Sequence, residues 1–220
     1  MSDYRGDVVP GGPSDVRELD ALTIRKASVG SLDNNAYLLT CRATGAQLLV
    51  DAADDVNRLR ALVAEGTGDL GTIVTTHQHW DHHRALPELA ARTGAATAAG
   101  DADADAVPVP PNVRLQHGDV LHVGDVELQV IALRGHTPGS IALLYADPSG
   151  HPHLFTGDSL FPGGPGRTTS PADFASLMDD LESRVFGVLP DETWVYPGHG
   201  KDTTLGAERP QLEQWRRRGW

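Results

Sequence analysis

The sequence predicts a domain of mixed α and β structure. Three segments that begin near Leu22, Ala36 and Gln47 alternate apolar and polar residues, a period typical of β-strands. Two other segments, residues 54–65 and 171–186, repeat apolar residues every three to four positions, as amphipathic helices do. Strands followed by a helix occur in both halves of the chain, and periodicity alone takes the assignment no further.

The N-terminal part of the chain changes character at about residue 20. Residues 1–20 are polar and contain Pro10-Gly11-Gly12-Pro13, so we expect a flexible tail there, followed by a single domain over residues 21–220. The first strands of that domain form a predicted antiparallel meander at residues 22–29, 36–41 and 47–51. Asp54 or Asp55 then caps a helix that runs to Glu65.

The remaining elements follow the same two periods. Strands are predicted at residues 72–75, 119–123, 126–133, 140–145, 153–156 and 193–196, and helices at residues 84–92, 171–186 and 208–217. The run Asp101-Ala-Asp-Ala-Asp105 resembles part of a calcium loop. It lacks the glycine and the remaining ligands, so the sequence favours a short acidic surface helix instead.

A cluster of histidines follows the strand predicted at residues 72–75. In an extended segment, residues two apart project the same way, so His77 and His79 can bind one metal ion. Asp81 and His82 come where the chain turns toward a helix, and their side chains need not face the same ion. The motif therefore indicates two neighbouring metal ions.

Three later loops carry further candidate ligands. His136 stands in Gly-His-Thr-Pro-Gly-Ser, Asp158 in Thr-Gly-Asp-Ser-Leu-Phe, and His199 in Tyr-Pro-Gly-His-Gly. Each loop lies just past a strand-like run and contains glycine or proline, which bends the chain sharply. Because ligands from His77 to His199 must meet at one site, their spread argues against a domain boundary between them.

Together, His-x-His-x-Asp-His and these loops resemble the signature of the metallo-β-lactamase superfamily, in its glyoxalase II (hydroxyacylglutathione hydrolase) branch. The resemblance extends from about Leu22 to about Arg209 and implies an α+β fold, a four-layer αββα sandwich of two mixed β-sheets flanked by helices. It also implies two metal sites that Asp158 bridges. The first site would consist of His77, His79 and His136, and the second of Asp81, His82 and His199. Nitrogen and oxygen ligands suit zinc, two ions per chain, and also admit iron or manganese.

The same resemblance implies an enzyme with a small-molecule substrate. We expect a dinuclear zinc metallohydrolase that cleaves a thioester or related ester with a metal-bridging hydroxide, whose proton Asp81 accepts. The alternatives are a mononuclear iron persulfide dioxygenase and a lactonase or β-lactamase-type hydrolase. The intact ligand set disfavours a non-catalytic metal-binding module. The basic residues after His199 crowd at the end of the chain, so we expect little gain in rate from a glutathione carrier.

Composition excludes several other classes. The formal net charge is −12 and no basic run follows a predicted element, so nucleic acid and anionic membrane surfaces are not expected partners. Cys41 is the single cysteine, which rules out an intramolecular disulfide, and its place in a strand predicts a buried, inert thiol. We find no secretory signal and no apolar run of the roughly 20 residues that span a bilayer, and we expect a cytoplasmic protein.

Four residues near the motif keep two interpretations each. Asp51 either accepts a hydrogen bond from a metal ligand or sits in an ordinary turn, and Trp80 either walls the pocket or packs in the core. For His83, a partly exposed helix position is favoured over a donor role. Segment 161–167 is too glycine-rich for a regular element, so we expect it to be irregular and to line the substrate entrance. Arg167 at its end meets either a substrate carboxylate or a loop-anchoring acid.

Overall fold

The computed structural model describes residues 4–219, which fold into two large β-sheets with helices on their outer faces. The first sheet has seven strands in chain order: β1 Asp15–Glu18, β2 Leu22–Val29, β3 Asn34–Cys41, β4 Gln47–Val50, β5 Leu70–Thr75, β6 Ala96–Gly100 and β7 Val113–Leu115. Strands β1 to β4 pair antiparallel, as the predicted meander requires, whereas β4 to β7 pair parallel.

The second half of the chain supplies the other strands: β8 Val120–Val123, β9 Val126–Ala132, β10 Ile141–Tyr145, β11 His153–Gly157, β12 Leu160–Phe161, β13 Gly164–Pro165, β14 Trp194–Pro197 and β15 Thr203–Thr204. The second sheet has the order β15-β14-β11-β10-β9-β8, and β12 pairs only with β13. Its β11–β14 pair is parallel and its other pairs are antiparallel, so both sheets are mixed.

The helices cover the outer faces of the two sheets. They are α1 Val56–Glu65, α2 Leu86–Thr93, α3 Pro171–Leu181, α4 Leu205–Glu208 and α5 Leu212–Arg218. One apolar cluster, which includes Leu39 and Phe155, fills the space between the sheets. A second cluster joins the first sheet to α1 and α2, and a third joins the second sheet to α3 and α5. This is the αββα layering that the sequence resemblance implies.

The predicted start and stop signals operate as expected. Asp55 caps α1 by accepting a hydrogen bond from the backbone N of Arg58. Gly94 ends α2 in a left-handed conformation with φ of 71°, where a residue without Cβ is favoured. Strand β3 is buried on both faces, because Leu39 points between the sheets and Leu38 points toward the helices. Cys41 is buried, as predicted.

The N-terminal segment corrects one expectation. Residues 1–20 were expected to form a flexible tail, but Asp15–Glu18 form β1 and pair with β2, so that expectation is wrong for these residues. Tyr4 is also buried, and its hydroxyl donates to Asp202 Oδ2 at 2.6 Å. Residues 1–3 lie outside the described part of the chain. Only Val16 in β1 is apolar, which is why the pattern carried no strand signal.

Other boundaries differ from the predictions for local reasons. The helix expected at residues 208–217 is broken into α4, a short 3₁₀ turn at Arg209–Gln211 and α5, because Pro210 cannot donate a helical hydrogen bond. Segment 161–167, expected to be irregular, contributes to the β12–β13 hairpin. The acidic run forms a 3₁₀ turn at Asp101–Asp103, but Asp103 is buried rather than on the surface. No helix within residues 4–219 combines the length and apolar character that a bilayer crossing requires.

Candidate metal centre

The strand ends place all seven predicted ligand side chains at one edge of the sandwich. His77 follows β5 by two residues, His136 follows β9, Asp158 directly follows β11, and His199 follows β14. Asp81 and His82 lie in the 3₁₀ turn Trp80–His82 that leads toward α2. A donor just past a strand end is held by a rigid sheet while its loop can still bend toward a shared point.

The first histidine group consists of His77, His79 and His136. His77 Nε2 lies 3.1 Å from His79 Nδ1 and 3.2 Å from His136 Nε2, so the three nitrogens face a common centre. The His136 Nδ1–H donates to the backbone O of Arg167 at 2.6 Å, which turns its Nε2 lone pair toward the group. The His77 Nδ1 lies 3.0 Å from Thr76 Oγ1.

The second histidine group consists of Asp81, His82 and His199. His82 Nε2 lies 3.2 Å from His199 Nε2 and 3.6 Å from Asp81 Oδ2. His199 Nε2 lies 3.3 Å from the same Asp81 oxygen. The His199 Nδ1–H donates to the backbone O of Leu32 at 2.9 Å, so this ring also directs Nε2 into the group.

Asp158 lies between the two groups. Its Oδ2 is 3.7 Å from His136 Nε2 of the first group and 3.5 Å from His199 Nε2 of the second. Its Oδ1 is 3.3 Å from His82 Nε2. Glycine is required beside it, because a Cβ at residue 198 would overlap Asp158 Oδ1 and one at residue 166 would overlap its backbone O. The carboxylate therefore faces both groups at once.

The spacing of the donors tests whether metal ions fit here. In a tetrahedral zinc site with Zn–N bonds of about 2.0–2.1 Å, neighbouring ligand atoms are about 3.3–3.4 Å apart. Five donor pairs within the two groups are separated by 3.1 to 3.6 Å, which brackets that edge length. Asp158 Oδ1 is buried without a hydrogen-bond partner among the described residues, as expected of an atom that bonds to a cation. The donor set therefore fits divalent metal ions.

Burial and neighbouring charges shift the pKa values of several residues at the centre. Burial alone lowers the pKa of His82, but the carboxylates of Asp51 and Asp158 outweigh burial and raise that pKa to about 10. Burial, with the neighbouring His82, lowers the pKa of His77 well below its ordinary value. For Asp158, burial acts to raise the pKa, but the facing imidazoles of His199 and His82 outweigh it and hold the pKa well below its usual range. The carboxylate is stable as an anion because positive charge faces it, and a divalent cation provides the same compensation.

Asp51 links the two groups. Its Oδ2 accepts from His82 Nδ1 at 2.8 Å, and its Oδ1 accepts from the backbone N of Thr76 at 2.8 Å. The Thr76 hydroxyl also donates to Oδ2 at 2.8 Å, and the same hydroxyl contacts His77. Of the two interpretations for Asp51, the structure supports the acceptor that orients a ligand-type histidine.

Asn34 is a site residue that the sequence did not indicate. It is buried at the start of β3, and its Nδ2 donates to Asp81 Oδ2 at 3.0 Å and lies 3.4 Å from His199 Nε2. The available signal was the pair Asn34-Asn35 at the head of an otherwise apolar strand, where buried amides need partners. Asn35 has such partners, because its Nδ2 donates to the backbone O of Pro197 and of Gly200 beside His199.

The structure also decides three of the open residues. His83, expected to be partly exposed, is buried, and its Nε2–H donates to the backbone O of Gln78 at 2.9 Å, so that expectation is wrong. The interpretation of Trp80 as a core residue is wrong, because the side chain is 57% exposed and the Arg84 guanidinium lies 4.1 Å from its ring. Arg167 meets no carboxylate within residues 4–219, and its exposed side chain lines a cavity beside the first group.

Two mixed sheets with outer helices and this donor cluster at their edge define a metallo-β-lactamase-type protein. Residues 29–199 match the profile of the family described as Metallo-beta-lactamase superfamily. The chain belongs to that superfamily.

Within the superfamily, the chain is similar to proteins named hydroxyacylglutathione hydrolase. The chain is 39% identical over 170 residues to the hydroxyacylglutathione hydrolase of Cereibacter sphaeroides (strain ATCC 17029), covering 76% of this chain and 62% of that protein. It thus spans about three fifths of the length of the first curated relatives.

The similar solved structures include two at above 30% identity to this chain. ETHE1 from Myxococcus xanthus is 34% identical with a TM-score of 0.73, over 84% of this chain and 81% of that one. TTHA1623, solved in a di-iron-bound form, is 32% identical with a TM-score of 0.66, over 84% of this chain and 96% of that one.

Proposed function

We propose that this protein is a dinuclear metallohydrolase of the glyoxalase II type, which cleaves a thioester or related ester. In this proposal His77, His79 and His136 hold the first metal ion, and Asp81, His82 and His199 hold the second. Asp158 bridges the two ions. The observation that carries the proposal is the convergence of seven nitrogen and oxygen donors in two neighbouring groups, with one carboxylate facing both groups. Zinc is the proposed metal, and the same donors admit iron or manganese.

The chain's own charges suit this assignment. Asp51, Asp81 and Asp158 provide three carboxylates around five ligand histidines, so two divalent cations leave a surplus of positive charge that favours a bound anion. Metal ions bound here would lower the pKa of bound water from about 15.7 to roughly 7 and so would supply hydroxide as the nucleophile at neutral pH. Asp81 is the proposed acceptor of the water proton. Asn34 fixes its Oδ2, and the hydrogen bond from Asn34 together with His82 outweighs burial and lowers the Asp81 pKa, which keeps it ionised.

Substrate would enter beside the first group. A cavity of about 350 Å³, lined by Gly166, Arg167, Phe174 and Arg218 among others, adjoins the first group through the Arg167 backbone O, which accepts from His136. Arg167 and Arg218 are exposed and can meet a carboxylate of the substrate. Arg209 and Arg216, which also follow His199, already form ion pairs: Arg209 with Asp191, and Arg216 with Asp179 and Glu182. The cavity thus offers two guanidinium groups to a thiol carrier.

The two guanidinium groups limit how much a thiol carrier can raise kcat/KM. Exposed ion pairs contribute about 0.2–1 kcal/mol each, so two of them raise kcat/KM by less than about 30-fold. We therefore expect hydrolysis of simple activated thioesters, with a preference for S-lactoylglutathione over a small thioester of the same acyl group below about 10²-fold. A larger preference would contradict the weak-clamp prediction while supporting the hydrolase assignment.

The deciding experiment measures metal content and activity of protein purified without added metal. We expect close to two metal ions per chain and thioester hydrolysis that a chelator abolishes and added zinc restores. One tightly bound iron per chain, with oxygen uptake on a persulfide and no hydrolysis, would replace the proposal with the dioxygenase alternative. Binding of metal without either reaction would point to a non-catalytic module.

A further inference from the structure

Asp103 is a buried acid in a run whose other acids face solvent. Its exposed fraction is 0%, whereas the Asp105 side chain is 85% exposed and pairs with Arg114 on the surface. Asp103 ends the 3₁₀ turn that follows β6, and it belongs to neither histidine group. A buried carboxylate is costly unless several hydrogen bonds satisfy it, so its partners indicate its role.

Those partners come from the two loops that carry the first histidine group. Asp103 Oδ2 accepts from the backbone N of Gln78, which lies between His77 and His79, at 2.9 Å. The same oxygen accepts from the hydroxyl of Thr137, which follows His136, at 2.5 Å. Oδ1 accepts from the backbone N of Gly139 at 2.7 Å. One carboxylate therefore joins the two loops that carry all three histidines of the first group.

The backbone is shaped to allow this contact. A Cβ at residue 139 would overlap the backbone N of Asp103, and a Cβ at residue 100 would overlap the backbone O of Gly139. Two glycines thus let the 3₁₀ turn and the His136 loop touch backbone to backbone. Ile141 N also donates to Thr76 O at 3.0 Å, so the two loops leave adjacent points of the two sheets. Beyond those points, Asp103 accepts hydrogen bonds from both loops.

The three hydrogen bonds that Asp103 accepts come from neutral donors, but the carboxylate makes them stronger than bonds between neutral groups. No Lys, Arg or His within residues 4–219 forms an ion pair with Asp103, so its charge acts on the two backbone N–H groups and the Thr137 hydroxyl. Hydrogen bonds to an ionised acceptor are roughly twice as strong as neutral ones, and a buried setting strengthens them further. We propose that Asp103 is a positioning residue that fixes the distance between the His77–His79 loop and the His136 loop, and so sets the affinity of the first metal ion. This inference rests on the proposed metal-dependent function.

The test compares metal affinities of matched variants by competition with a coloured chelator, using zinc as the probe. Asp103→Asn turns one acceptor oxygen into an NH₂ group that faces donors. Thr137→Val removes the hydroxyl, and with it both the bond to Asp103 and the contact with Ser140 Oγ at 2.6 Å, whereas Thr137→Ser keeps both. Asp105→Asn changes an acid of the same run that faces solvent. We expect Asp103→Asn and Thr137→Val to lower the affinity for the first zinc ion by about 10–100-fold, the range for groups that orient metal ligands. The affinity for the second zinc ion should not change. Thr137→Ser and Asp105→Asn should match wild type.

A second arm separates positioning from general destabilisation. In a His79→Ala background the first group is already disabled, so Asp103→Asn should add no further loss of affinity for the remaining ion. The inference is wrong if Asp103→Asn and Thr137→Val bind both ions with wild-type affinity. It is also wrong if, in the His79→Ala background, Asp103→Asn lowers the affinity for the second ion as much as it lowers the affinity for the first ion in the wild-type background. Wild-type protein that binds zinc but hydrolyses no thioester would overturn the proposed function, while the affinity comparison would still decide the role of Asp103.

Discussion

The two histidine groups share Asp158 but are supported by different chemistry. In the first group, the outer nitrogens of His77 and His136 contact neutral oxygens, the Thr76 hydroxyl and the Arg167 carbonyl. In the second group, His82 donates to the buried carboxylate of Asp51, and Asp81 itself brings a negative charge. The first group thus depends on where its loops are held, and the second depends on buried charge.

The largest expected effect removes what the groups have in common. In Asp158→Ala, the two proposed cations would lose the carboxylate that faces both groups and would repel each other without compensation. We expect the metal content to fall from about two ions per chain to one or fewer, measured by elemental analysis after gel filtration. Asp69→Ala, an exposed acid at the far end of β5, is the matched control. Two ions retained in Asp158→Ala would show that the groups are independent.

The next effect separates chemistry from metal binding in the second group. Asp81→Asn keeps the shape of the side chain but loses the charge and the ability to accept a proton. We expect turnover of a thioester to fall by roughly 10² or more, the scale of general-base contributions, with an unchanged circular dichroism spectrum. Turnover equal to that of wild type at saturating zinc would exclude Asp81 from the mechanism.

A smaller effect tests the buried charge that supports the second group. Asp51→Asn weakens the hold on His82, so we expect the affinity of the second ion to fall by about 10–100-fold. The first ion should weaken less, because Asp51 reaches His77 only through the Thr76 hydroxyl. Chelator competition measures both, with Asp69→Asn as control. Equal losses at the two sites would mean that the groups respond as one unit.

The smallest effect concerns the neutral support of the second group. Asn34→Ala removes the hydrogen bond to Asp81 Oδ2, and we expect about a tenfold loss of affinity for the second ion with none for the first. Asn57→Ala, in the exposed face of α1, is the matched control. A loss confined to the first ion would reverse the assignment of Asn34 to the second group.

The αββα layering and the set of seven donors were predicted from the resemblance to the superfamily, whereas the local pattern alone indicated mixed α and β structure and candidate donors in loops that follow strands. His136 and Asp158 were recognisable for that reason, since glycine punctuates their loops. Whether Asp51 supported a ligand could not be decided, because a turn aspartate and an acceptor for His82 have the same local sequence. Their proximity depends on the parallel pairing of β4 with β5, a long-range contact.

Burial of polar residues was the least predictable property. Asp103 differs from its neighbours Asp101 and Asp105 only in which way a 3₁₀ turn points it, and an alternating Asp-Ala run carries no such information. Strand β6 was missed because four of its five residues are alanine or glycine, which lack β propensity, and it is held by pairing with β5 and β7. These elements are determined by tertiary contacts rather than by local pattern.

The exposed ring of Trp80 has an optical consequence. It stands in water beside Asp81, and Arg84, which pairs with Asp54, holds the indole in place by stacking on it. Its fluorescence is therefore open to collisional quenching by iodide, whereas Trp215, at 2% exposure, is shielded. A molecule that binds at the second group and contacts this indole would reduce the quenching. Trp80 is thus a candidate emission probe for an occupied site, one residue from the side chain proposed to accept the water proton.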